Sequence, residues 1–359
     1  MLIHVTKKLA DKLKIKLSKA QDDFDELYSW RANVVDGGRH MIVVFMNDVS
    51  QYVIVLNNIM EKDWPKLPEL FIDTLRETLL AEQINPEVIE RYISEAGKIS
   101  YFRNTDRQKT LLINHTCACF GFSVRSDNVG LSIYASHCLI GNINNYEAMY
   151  YPIEKIIELF ERYGLPVRKC RAFDLDIRLA LMSGDACRKL RVPANITFEQ
   201  LHSILQAAFC WKDYHLYNFA LFAEGRAGEE PSVELAISDK ELKYRDNARL
   251  LTGVKLSEYI PRYKYILYVY DYGDDWHHYI EVTDVLEDCT DELPVLLSGE
   301  GDAPPEDVGG TPGYEDFLAV INDPGHEDHK SMTDWAKGQR WKKFDAESTA
   351  RRLKFVLSP

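Results

Sequence analysis

The chain has 359 residues, 46% hydrophobic, 28% charged and 11% aromatic. That is enough apolar material for packed cores, and the length predicts two domains. Forty-three basic against 56 acidic residues leave a formal charge of −13, which excludes a general nucleic-acid coat. No run approaches the roughly 18 apolar residues of a membrane span, and the opening MLIHVTKKLADKLK mixes charge and apolar residues too early for a secretory signal. Seven cysteines without a CxxC pair point to a reduced, cytoplasmic protein with no membrane association.

In chain order, LIHVT reads as a short strand whose Thr6 caps a helix over KKLADKLK. The stretch from Arg31 to Asn58 holds three β-branched runs separated by Asp36-Gly37-Gly38 and Asn47-Asp48, which predicts a three-stranded antiparallel meander. Leu67 to Gln83 places Leu70, Phe71, Thr74, Leu75, Thr78 and Leu79 on one helical face. Pro86 suits the first turn of a second helix that Gly97 ends, and Asp106 to Phe122 predicts a third. The segment 158–170, with Gly164-Leu165-Pro166, reads as a helix end and a linker between domains 1–157 and 171–359. Beyond it, Phe173 to Leu181 alternates as a half-buried strand. Thr197-Phe198-Glu199-Gln200 is a capping-box pattern opening a helix that ends at Trp211. His215 to Phe222 and Tyr263 to Tyr272 are aromatic-rich strands, and Gly273-Asp274-Asp275 turns the second into Trp276–Val285. Two or three helices close the chain. The fold class predicted is α+β, two domains, each an antiparallel sheet with packed helices.

Charge is unevenly placed. Residues 265–329 contain no Lys or Arg and 18 carboxylates, so this tract carries −18 and the overall −13 leaves +5 for the rest. It also contains Trp276, Tyr279, Ile280, Val282, Tyr314 and Phe317, so it is folded and not an acidic tail. Both chain ends lean basic, from Lys7 to Lys19 and from Lys337 to Lys354. A basic protein is the partner an acidic face would take, and unassisted duplex DNA is disfavoured there because binding gains come from cations that release counterions. Any nucleic-acid contact is expected at the basic ends instead.

Three motifs stand in fixed order in the second half. Thr197-Phe-Glu-Gln-Leu-His202 runs into Trp211-Lys-Asp-Tyr-His215-Leu-Tyr-Asn-Phe219. Tyr270-Asp271-Tyr-Gly-Asp274-Asp-Trp276-His277-His278 follows, and then Gly299-Glu300-Gly-Asp-Ala-Pro304-Pro305-Glu306-Asp307-Val-Gly309-Gly310 with Gly313-Tyr314. Over roughly residues 171–345 they resemble the plasmid pRi open-reading-frame-three-like family, which includes insertion-element passenger proteins of the TnpR type. The first half, from MLIHVTKKL through Asn47-Asp48 and Leu79-Leu80-Ala81-Glu82 to about Ile157, is similar to an uncharacterised domain family sometimes fused ahead of it. One departure stands out: the family usually has a Trp and a further Arg before Arg191-Val192-Pro193, where this chain reads Ala186-Cys187-Arg188-Lys189-Leu190 and lacks the aromatic anchor. The resemblance implies a link to mobile-element or defence biology and names no reaction.

The chemistry of several residues in these motifs suits a site. Carboxylates with imidazole suit a divalent ion, so Asp271, His277, Glu306 and Asp307 form a candidate metal set. His215, Asp274, Trp276 and Glu300 complete a candidate pocket at the mouth of the second sheet. The bland reading is that Asp271 to Asp275 merely make a turn and that His277 and His278 point to opposite faces of a strand. In Gly299–Gly310 two prolines remove amides and acids repel phosphate, so a cation site or a proline-braced structural loop fits better than a phosphate cradle. His326-Glu327-Asp328-His329 lacks the zincin spacing and reads as an acid-rich helix start, and His202 reads as a packed helix residue. No GxSxG, GxGxxG or Walker motif occurs, and the cysteines at 117, 119 and 210 sit among apolar residues. The expectation is a non-enzymatic interaction module with an acidic face for a basic partner. The alternative is a metal-dependent hydrolase or nuclease built on the acidic and His loops.

Overall fold

The computed structural model describes residues 1–17, 24–36, 40–119, 127–138, 150–223, 230–238 and 247–357. The chain forms two compact units, Met1–Lys169 and Cys170–Leu357.

The first unit contains β1 (Leu2–Val5), α1 (Lys7–Leu13), β2 (Ser29–Asp36), β3 (Met41–Asn47), β4 (Val53–Ile59), α2 (Leu67–Ala81), α3 (Pro86–Ala96), β5 (Ser100–Arg103), α4 (Arg107–Cys119), α5 (Asn128–Ser136) and α6 (Pro152–Phe160). The meander forms as its sequence predicts, β2 to β4 pairing antiparallel. Gly37 and Gly38 of its first turn lie outside the described residues. The sheet as a whole is not antiparallel, however. Its order is β4-β3-β2-β1-β5, and β1 pairs parallel with both β2 and β5. Four residues of β1 carry no sign of their pairing direction, which is set by the chain returning through α1 on one side and from α3 on the other. Both faces are covered. Val43, Phe45, Ile54 and Leu56 meet Phe71, Leu75 and Tyr92, while Ile42, Val44, Val53 and Val55 meet Ile113, Cys117, Leu131 and Ala135. Burial on both sides is why these strands read as continuous apolar runs.

Helix α5 also closes the sheet edge. Asn128 Oδ1, Ser132 Oγ and Ser136 Oγ accept from the amides of Asn57, Val55 and Val53 at 2.8, 2.9 and 3.0 Å. Four residues of helix advance about 6 Å and two of strand about 6.7 Å, so one helix stripe matches the outward amides of β4. The bonds supply partners that an edge strand lacks.

The segment expected as a linker belongs to this unit's core. Phe160 is fully buried and Tyr163 nearly so, the first tilted on Tyr92 at 5.2 Å. Tyr163 Oη lies 3.0 Å from Tyr28 Oη, and Arg168 bridges to Ile84.

The second unit has β6 (Cys170–Leu179), β7 (Ala186–Pro193), α7 (Phe198–Phe209), β8 (Tyr217–Phe222), β9 (Val233–Ala236), β10 (Ala248–Leu250), β11 (Tyr265–Tyr270), β12 (Trp276–Cys289), β13 (Val295–Glu300), α8 (Gly310–Ile321), α9 (His329–Gly338) and α10 (Ala346–Phe355). Its eight strands run β10-β9-β8-β11-β12-β6-β7-β13, antiparallel except for β9 with β10. The capping box holds: Gln200 N donates to Thr197 Oγ1 at 3.2 Å and Thr197 N to Gln200 Oε1 at 2.9 Å. On one sheet face Phe173, Leu175, Tyr268, Trp276 and Ile280 pack against Leu201, Ile204 and Leu205 of α7, and Phe317 and Leu353 join the same core. The opposite face carries a groove of about 590 Å³ lined by Asp176, Arg178, Tyr265, Leu267, Tyr279 and Glu281. Both units are thus α+β. Among the described residues no helix is long and apolar enough to cross a membrane.

Because Phe160 and Tyr163 complete the first core, a fragment of residues 1–169 should melt cooperatively and one ending at 157 should not. Removing a buried aromatic of this size costs about 3–5 kcal/mol, a large part of a domain's total stability. Circular dichroism melts of the two fragments check this; equal midpoints would show that residues 158–169 add nothing to the core.

Candidate functional site

The site stands where β11 turns into β12. Asp271 leaves the end of β11 with φ 57°, and its Oδ1 accepts from the amides of Gly273 at 2.9 Å and Asp274 at 3.4 Å. The acid therefore makes the turn, as the bland reading of the sequence holds. Its second oxygen remains for other use: Asp271 Oδ2 lies 3.4 Å from His215 Nε2. His215 is not on a strand as its sequence suggested. It occupies the bend before β8, with its ring edge-on to Tyr270 at 5.8 Å.

The third member comes from the loop after β13. Glu306 is 3% exposed, and its Oε1 accepts from Tyr270 Oη at 2.6 Å and from the Lys212 amide at 3.0 Å. Burial, then the bond to Glu306, raises the Tyr270 hydroxyl well above its ordinary pKa, so it stays a donor. Holding Glu306 sets its neighbour: Asp307 Oδ1 reaches 3.2 Å from His215 Nε2. The same loop is seated on the hairpin by backbone. Gly309 N donates to Asp274 Oδ2 at 3.2 Å, and at Gly310, φ 68°, a Cβ would stand 2.9 Å from the Asp274 carbonyl oxygen. This is the physical reason for Gly309-Gly310.

His215, Asp271 and Asp307 thus present one ligand atom each within 4.8 Å of one another. His215 Nε2 is buried and makes a hydrogen bond to neither acid, and Glu306 Oε2 is also buried without one. Donor atoms bound at ~2.1 Å around a tetrahedral ion lie roughly 3.4 Å apart, close to the 3.2 and 3.4 Å separations here.

Of the eight residues singled out from sequence, the structure gathers His215, Asp271 and Asp307, with Glu306 and Asp274 holding the framework. Three go elsewhere. His277 faces away from the core and pairs with Asp275 at 2.9 Å, because alternation along β12 turns Trp276 and His278 inward instead. Trp276 is core, 6.2 Å from Trp211. Glu300 lies on β13 opposite Cys187. Tyr270 and the Lys212 amide, which hold Glu306, were not singled out; a buried phenol at a strand end, needing an acceptor, was the available signal. His202 is a packed histidine as expected, stacked on Tyr217 at 3.6 Å and bonded to Tyr268 Oη and Asp213 Oδ1, each at 2.7 Å. His326 and His329 bond locally, to the Asp328 amide and the Val320 carbonyl.

The second unit is thus an α+β domain with an eight-stranded sheet and a His–Asp–Asp cluster at its end. Residues 171–352 match the family described as plasmid pRiA4b ORF-3-like protein, and the chain belongs to it. Residues 2–155 match the domain of unknown function DUF6933. An uncharacterised protein, y4hQ, of Sinorhizobium fredii (strain NBRC 101917 / NGR234) is 34% identical over 150 residues, 41% of this chain and 72% of that one. A solved structure of a protein of unknown function, MM3350 from Methanosarcina mazei Go1, is similar at 29% identity, covering 49% of this chain and 96% of that one with a TM-score of 0.42.

One buried histidine beside the site sets an acid response. His278 is enclosed by Phe209, Trp211 and Tyr268, and burial lowers its pKa from the usual 6.5 to about 3. An imidazole whose folded value is lowered contributes stability that is complete above the unfolded value. That contribution is lost as pH falls from about 6.5 towards 3, at up to about 1.4 kcal/mol per pH unit. His202, also lowered by burial, acts in the same direction. Urea midpoints between pH 7 and 4.5 should fall in the parent and fall less in His278→Phe; equal slopes would remove His278 as the cause.

Proposed function

We propose that the second unit is divalent-cation-dependent, with His215, Asp271 and Asp307 as the protein ligands. The observation that carries this is the convergence of three ligand atoms around a buried imidazole nitrogen that bonds to none of its neighbours. One imidazole with two carboxylates suits Zn or Mn. Three protein ligands, with Asp307 at the solvent edge, leave positions open to water, as catalytic ions have and structural ones lack. This favours the metal-dependent hydrolase reading, since an ion so held acidifies bound water and polarises an ester or amide.

A second observation favours an interaction module with a basic partner. Across the open groove Glu281 stands opposite Asp176 in the β12–β6 register, and neither makes an ion pair among the described residues. Tyr265 borders them, and although Arg178 already lies 4.7 Å from the Tyr279 ring centre, two carboxylates beside an aromatic ring suit a lysine or arginine of a partner. Family membership adds the expectation of mobile-element or defence biology.

Thermal unfolding in EDTA, Mg, Mn and Zn tests the site. An ion present at 100 times its dissociation constant adds about 2.7 kcal/mol, which in a unit of this size raises Tm by roughly 5–10 °C. The parent should respond to Mn or Zn, and His215→Ala and Asp307→Asn should not. A parent whose melting ignores every ion leaves a bare ion-pair trio and ends the metal reading.

A further inference from the structure

The inward face of β7 buries a charge. Arg188 falls in the alternation Ala186, Arg188, Leu190, Val192 and is 2% exposed. Its Nε donates to the Ala208 carbonyl at 3.1 Å, and its Nη1 to the carbonyls of Cys187, Glu300 and Gly301 at 2.7, 2.8 and 3.2 Å. The guanidinium lies 3.8 Å from the ring centre of Phe344 and 5.0 Å from that of Phe209, so rings from elsewhere in the fold flank the arginine of a strand that lacks its own aromatic anchor. No carboxylate bonds to it, and its Nη2 donates to nothing among the described residues. The acid that influences it, Asp302, has its Oδ1 taken by the Phe344 amide at 2.6 Å. Burial lowers the Arg188 pKa to about 10, which still leaves it charged at neutral pH.

A second guanidinium repels it. Arg352 donates to the Ala207 carbonyl at 2.9 Å, Ser348 Oγ at 3.0 Å and Thr349 Oγ1 at 2.8 Å, again to no carboxylate. Beside the two opens a recess of about 320 Å³, lined also by Lys342, Lys343 and Arg351. The one acid in its lining, Asp345, is occupied as the cap of α10, accepting from the Ser348 amide at 2.7 Å. Lys342 and Lys343 make no hydrogen bond or ion pair among the described residues. Arg351 reaches Glu347 at 4.0 Å, both largely exposed. Five cations stand against Asp345 in the lining, Asp302 beside Arg188 and Glu347 beside Arg351, so in a chain of net −13 two positive charges remain uncompensated around a partly desolvated hollow.

We propose that this recess is an anion site for the phosphoryl group of a small molecule, with Arg188 and Arg352 giving the planar donors and Lys342 and Lys343 the mobile charge. Guanidinium forks match tetrahedral oxyanions, and lysines add point charge. A volume of about 320 Å³ exceeds a bare carboxylate and falls at the lower end of small-ligand pockets, room for a phosphate with a modest organic group. The site is independent of the metal reading.

The test titrates the full chain with inorganic phosphate, pyrophosphate and adenosine monophosphate by calorimetry, with sodium chloride matching ionic strength because free charge is screened by salt. Saturable heat is expected in the parent. A Lys342→Ala/Lys343→Ala double variant should bind about tenfold or more weakly while its melting point in chloride stays unchanged, since both side chains are exposed and bond to nothing among the described residues. Tighter binding of adenosine monophosphate than of phosphate identifies a phosphorylated small molecule as the ligand. Tighter binding of phosphate identifies the free ion and overturns the organic part of the assignment. No saturable heat with any of the three, or an unchanged affinity in the double variant, overturns the site.

Discussion

The end of the second sheet depends on one hydrogen bond, from the Tyr270 hydroxyl to Glu306 at 2.6 Å. A phenol buried at a strand terminus must donate to something, and a carboxylate buried within the same fold must be received by donors. Tyr270 supplies one oxygen of the carboxylate with its donor, and the loop after β13 is fastened in doing so. Trp211 and Trp341 repeat the device along the same loop, their indole nitrogens donating to the carbonyls of Pro304 and Ala303 at 2.9 and 2.8 Å. Aromatic residues that fill the core thus also clip an acidic, proline-rich segment onto it. The position of Asp307 beside His215 follows from clips made by residues that hold no ligand.

How far the sequence shows this depends on range. Local signals survive folding: Thr6, Thr197 and Pro86 open helices where their chemistry places them, and Gly97 ends one. The two glycines at 309 and 310 have the positive φ their pairing suggests. Signals between distant segments do not show. Nothing in LIHV marks it as an interior strand, and β13 gives no period because a register shift interrupts it. The acids and histidines of the site were visible as types, but which histidine faces Asp271 is decided by strand alternation and by a bend at His215. A one-residue shift of β12 would turn His277 inward in place of Trp276 and His278. The pairing is therefore a property of register and of the bend, which span segments distant in sequence.

Charge segregation in the chain becomes separation in space of a different kind. The −18 tract does not make one acidic patch, since Asp271 and Glu306 are consumed inside the fold and Glu287, Asp291 and Glu292 meet Arg171, Arg191 and Lys354. Arg191 bridges two acids, Asp174 and Asp291, both at 2.7 Å, and ties β6 and β7 to the turn before β13. The basic C-terminal stretch behaves in the opposite way. Lys337, Arg351 and Lys354 meet Asp334, Glu347 and Glu292, whereas Lys342, Lys343 and Arg352 gather around the recess without a carboxylate partner among the described residues.

The place of β1 has a consequence for how the first unit comes into being. β1 lies between β2 and β5, and its second neighbour is not reached until Ser100–Arg103. During synthesis β1 waits with one side open while about a hundred residues are added, at roughly 5–20 per second. Contacts of such span are slow to close because the loop entropy precedes the gain. A chain emerging from the ribosome therefore carries a short apolar edge, Leu2 to Val5, for some seconds before its partner exists. Only when residue 103 is free can β5 close the open side of β1 and complete the sheet.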